Sequence, residues 1–81
     1  MSTTTLPVTR ETAHHVLWHY GAPGGLQPGR GMESLMVAID AADMVTVEKL
    51  RLGFPELVSA MLAAKNDMDG IARLQKIAGV A

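Results

Sequence analysis

Pro55-Glu-Leu-Val-Ser-Ala-Met-Leu-Ala-Ala-Lys-Asn66 is the stretch whose reading decides the fold. Proline suits the first turn of a helix, and nothing after it up to Asn66 breaks one. Leu57, Val58, Ala60, Met61, Leu62, Ala63 and Ala64 surround nearly the whole circumference; Glu56, Ser59 and Lys65 are the clearly polar positions. A helix that is apolar all round is buried on most sides. In a chain of 81 residues it must be a central helix, or one with a face in an interface. Met61 and Leu62 are therefore expected to point in different directions, one into the core and one toward an interface or a second core layer.

Working outward, Gly53 stops the segment before it, and Asp43 is a good N-cap for a helix over Met44 to Leu52. Val47 and Leu50 face the core there, with Glu48, Lys49 and Arg51 toward water. A helix over Met32 to Ala42 presents Met32, Leu35, Met36, Ile39 and Ala42. On the other side, Asp67 or Asp69 caps a last helix, Gly70 to Ala78, with Ile71, Leu74 and Ala78 inward and Asp69 and Arg73 spaced for a surface pair. Near the start, Thr9 caps a helix over Arg10 to Tyr20, whose stripe is Ala13, Val16, Leu17 and Tyr20. Gly21 to Gly31 holds five glycines and two prolines and can only be a loop. No run alternates with the period of a strand. The predicted fold is an all-α, single-domain bundle of four to five short helices with a Gly/Pro-rich loop after helix one. Residues 1–8 read as a flexible N-terminal arm, and residues 9–81 as the helical domain.

Composition agrees. Apolar residues make up 48% and charged residues 19%, which excludes a disordered polyelectrolyte. The absence of cysteine removes disulfides, thiolate metal sites and a cysteine nucleophile. A net charge of -1 argues against a phosphate-binding surface. No apolar run approaches the ~20 residues of a membrane span, and no signal peptide is apparent, so the chain reads as cytoplasmic. A mean hydropathy of +0.18 is high for so small a monomer and points to a homo-oligomer or a protein partner.

Few residues carry chemistry. Glu11, His15 and His19 share one face of helix one, and His-x3-His is a usable metal pair, but no third ligand closes a tetrahedron; a solvated polar stripe is the plainer reading. Trp18 lies off the apolar stripe and is either a cover for the Gly/Pro loop or an anchor in an interface, with His15 and His19 as its polar rim. The loop is expected to be ordered where Leu26 or Pro28 packs back on the core, with Leu26 and the flanking prolines on an aromatic of helix one, Tyr20 the better candidate. The Gly24 to Gly29 run lacks the Lys and hydroxyl of a phosphate loop, so no cofactor is expected. No nucleophile motif or carboxylate pair points to an enzyme. The helices flanking Gly53-Phe54-Pro55 suggest a helix-turn-helix, but the second carries only Lys65 as a base. The interaction candidates are Trp18, His15, His19, Met61 and Leu62.

Thr12-Ala-His-His-Val-Leu-Trp-His-Tyr-Gly21, Gly25-Leu-Gln-Pro-Gly29 and Arg51-Leu-Gly-Phe-Pro-Glu56 resemble small uncharacterised proteins of actinobacterial bacteriophages. Arg30-Gly-Met32 departs from that pattern, where Ser or Thr and an aromatic follow Gln-Pro-Gly. The resemblance implies a phage origin and action in the host bacterial cytoplasm. The expectation is a non-enzymatic interaction module that binds itself or a host protein. A nucleic-acid-associated regulator and a minor virion or assembly component are the alternatives.

Overall fold

The computed structural model describes residues 8–80; most of the expected N-terminal arm lies outside them. They form α1 (Arg10–His19), α2 (Arg30–Ala41), α3 (Met44–Gly53), α4 (Pro55–Asn66) and α5 (Gly70–Ile77), with no strand among the described residues. The Cα radius of gyration is 11.9 Å, and the extents of 35 × 34 × 19 Å make a flattened body.

Two polar caps work as their sequence predicts. Thr9 Oγ1 accepts the Thr12 N–H at 3.2 Å, and Asp43 Oδ1 accepts the Thr46 N–H at 2.8 Å. α2 begins two residues before the predicted Met32, on Gly29, a cap without a side-chain bond. α4 keeps its predicted bounds and is the central helix: it packs against α1, α3 and α5, while α1 also packs against α5. Leu57, Val58, Ala60, Met61 and Ala63 of α4 are buried, together with Ala13, Val16 and Leu17 of α1, Met36 and Ile39 of α2, and Leu74 and Ala78 at the C-terminal end. Val8, assigned to the arm on sequence, packs against this core.

The Gly/Pro loop is ordered by backbone bonds. α1 ends in a Schellman turn: Gly21, at φ 69°, donates to the Trp18 carbonyl, and Ala22 donates to the Leu17 carbonyl. His14 Nδ1 then donates to the Gly24 carbonyl at 2.7 Å, and the His14 carbonyl accepts the Leu26 N–H at 3.0 Å. Gln75 Nε2 reaches the Pro23 carbonyl at 3.0 Å from α5. Gly25 lies so close to the Trp18 backbone that a Cβ there would overlap it. Of the two loop residues expected to pack back, Pro28 is buried and Leu26 is not. Leu26 is 57% exposed and contributes its N–H.

Candidate interaction surface

α3 differs from the other four helices in having no buried residue. Val47 and Leu50 lean on the core but stay half-buried. Once those two point inward, Val45, Glu48, Lys49 and Leu52, at i, i+3, i+4 and i+7, share the opposite face. Val45 is 66% exposed and Leu52 86%; Met44, on the flank of that face, is 82% exposed. Phe54, just past the helix, is also exposed. Three large apolar side chains standing in water on one ten-residue helix have no satisfied partner within the described chain.

Behind Met44 a cleft of about 410 Å³ opens between α2, α3 and α4, floored by Ile39, Val47, Met61 and Leu62 and edged by Arg51 and Lys65. Arg51, read as solvent-facing, is half-buried: its guanidinium meets Glu48 at 3.2 Å and the Ser59 hydroxyl at 3.4 Å. Lys65 leads to a polar cluster. Its Nζ lies 3.3 Å from Asp40 Oδ1, which also accepts the Tyr20 hydroxyl at 2.7 Å; His19 Nε2 donates to Asp40 Oδ2 at 2.6 Å. Burial alone would raise the Asp40 pKa, but hydrogen bonds from His19, Tyr20 and Lys65 outweigh it and hold the carboxyl below its ordinary value. Burial, with the hydrogen bond to Asp40 and its charge, pushes the Tyr20 phenol far up, so it remains a donor. Both Asp40 oxygens are thus engaged, and the cluster pins α1, α2 and α4 together.

The sequence-named candidates divide. Met61 is fully buried and is corrected from interaction residue to core residue; Leu62 is half-buried and faces the cleft. His19 is not a free rim group, because Asp40 holds its Nε2. His15 and Trp18 are half-buried. Glu11, His15 and His19 do not come together as a metal site, and no group of three or more such ligands occurs among the described residues. α4, the second helix of the helix-turn-helix reading, is the central core helix, packed against α1, α3 and α5. No helix among the described residues is long and apolar enough to cross a membrane. Sequence reasoning missed Met44, Val45 and Leu52, although placing Val47 and Leu50 inward already turns Val45 and Leu52 outward. Compared with protein-family models, curated proteins and solved structures, the chain matches none.

Proposed function

We propose that this chain is a non-enzymatic protein–protein interaction module that associates with itself through α3. The observation that carries the reading is the outward face of α3, where Val45 and Leu52 stand exposed beside Met44 on a helix with no buried residue, whereas the other helices bury apolar residues and Val37 of α2 is the one large apolar side chain they leave exposed among the described residues. The positive mean hydropathy of so short a chain supports it, as does the flattened shape, which leaves little interior in which to hide α3. The likeness of Thr12 to Gly21 and Arg51 to Glu56 to bacteriophage proteins supports a setting inside an infected bacterium.

Sedimentation from micromolar to millimolar concentration tests it. Wild-type protein is expected to shift reversibly above 8.6 kDa, and Leu52→Asp to remain monomeric with an unchanged melting temperature. A wild-type monomer throughout the range, or a Leu52→Asp variant that associates like wild type, overturns the reading.

A further inference from the structure

Charge decides how two α3 helices can meet. At 3.6 residues per turn, Val45 and Leu52 lie about 20° apart on the helix circumference, and Glu48 and Lys49 lie about 50° to either side of the line between them. The face is an apolar ridge with an acid on one flank and a base on the other. Two such ridges facing each other in parallel, related by a two-fold axis along the helices, bring the Glu48 flank of one copy against the Lys49 flank of the other, twice. Facing antiparallel, the same ridges bring Glu48 against Glu48 and Lys49 against Lys49. Flanking charges of this kind set partner orientation in helix pairs.

We infer that the chain pairs through α3 with a second copy in parallel, Val45 on Val45 and Leu52 on Leu52, locked by reciprocal Glu48–Lys49 ion pairs. The inference rests on the self-association proposed above and adds its geometry and its specificity residues. The flanking groups are open to such a contact. Lys49 is exposed, and no carboxylate among the described residues pairs with it. Glu48 already meets Arg51, yet 61% of its side chain remains exposed. Arg51 itself is drawn inward by Ser59 and leaves the outer side of Glu48 to a partner. A helix of ten residues is about 15 Å long. The pair therefore belongs with small, concentration-dependent interfaces.

The chain has no natural cysteine, so introduced thiols report geometry cleanly. Val45→Cys alone, and Leu52→Cys alone, are each expected to form a disulfide dimer with their own kind under mild oxidation. Glu48→Lys and Lys49→Glu are each expected to weaken sedimentation-detected association at least about tenfold, by placing like charges together. An equimolar mixture of the two, and the double reversal, return to the wild-type value. A disulfide that forms only when Val45→Cys is mixed with Leu52→Cys overturns the parallel arrangement. So does association of the single reversals as strong as wild type. Either result leaves self-association standing. A wild-type monomer at every concentration overturns both.

Discussion

Tyr20 Oη and Asp40 Oδ1 lie 2.7 Å apart across twenty residues of chain. Next to that bond, the His19 ring stands edge-on to the Tyr20 ring, with centroids 4.8 Å apart, and holds the other Asp40 oxygen. One carboxylate thus collects the end of α1, the end of α2 and, through Lys65, the end of α4. α2 packs more closely on α1 than on any other single helix, so this carboxylate is a principal tie between α2 and the rest of the bundle.

Replacing Asp40 with Asn keeps the shape and removes the charge. The loss is expected to be about 1.5–3 kcal/mol, the range for hydrogen bonds to a charged group. Tyr20→Phe removes a single donor and is expected to cost about 0.5–1.5 kcal/mol. Urea unfolding of the two variants and wild type measures both; equal stability of Asp40→Asn and wild type would show that the cluster ties nothing.

Acid should unfold the protein partly through the same residue. Its carboxyl is held below the ordinary 3.8 in the folded chain, so the unfolded chain binds that proton more tightly. The stabilisation is complete above the ordinary carboxylate value and is lost as pH falls through the folded one. Glu56, which accepts the Thr9 N–H, shifts in the same direction and adds to the slope. Unfolding free energy followed from neutral pH through the carboxylate range is expected to fall less steeply for Asp40→Asn than for wild type.

Two glycines should answer oppositely to alanine. At Gly25 the new methyl would overlap the Trp18 backbone, and the loop must lift off α1, at an expected cost of about 1–3 kcal/mol. Gly31, in the first turn of α2, has open space around it and an ordinary φ, so Gly31→Ala is expected to stabilise by about 0.5–1 kcal/mol. Thermal melts separate the two directly.

Within α4, adjacent positions should differ as well. Met61 is fully enclosed, and Met61→Ala is expected to cost about 2–5 kcal/mol. Leu62 borders the cleft and is half-buried; the cost of Leu62→Ala should be clearly smaller. Similar losses in chemical denaturation would mean that the cleft face is as well packed as the core.

Local rules carried the sequence reading a long way. Caps at Thr9 and Asp43, the proline at the start of α4 and the apolar stripes are all written within a turn or two of where they act. What escaped depends on distant partners. The loop is held by Gln75, far away in the chain, and no local feature of Gly21 to Gly31 announces that. Of Leu26 and Pro28, the loop residues read as packing back, only Pro28 is buried, and the ring and carbonyl of His14 bond the backbone beside Leu26. The Asp40 cluster gathers groups from three helices, and its one local sign was an acid next to Ile39 in the otherwise apolar second half of α2. On α3, the residues given to the core were placed correctly, and the outward ones follow from them by rotation.

The C-terminal turn ties the two ends of the domain in time as well as in space. Gly79, at φ 83°, closes a second Schellman turn, in which Val80 donates to the Gln75 carbonyl. Val80 then lies over Gly24 while Gln75 grips Pro23. On a ribosome, Gly21 to Gly31 emerge early but their clasp is made from residues synthesised some fifty positions later. The loop's bonds to Leu17, Trp18 and His14 are all to the helix just before it, whereas the grip of Gln75 on Pro23 must wait for the closing turn. A nascent chain stalled after α4 would lack that grip while keeping every loop residue that bonds to α1.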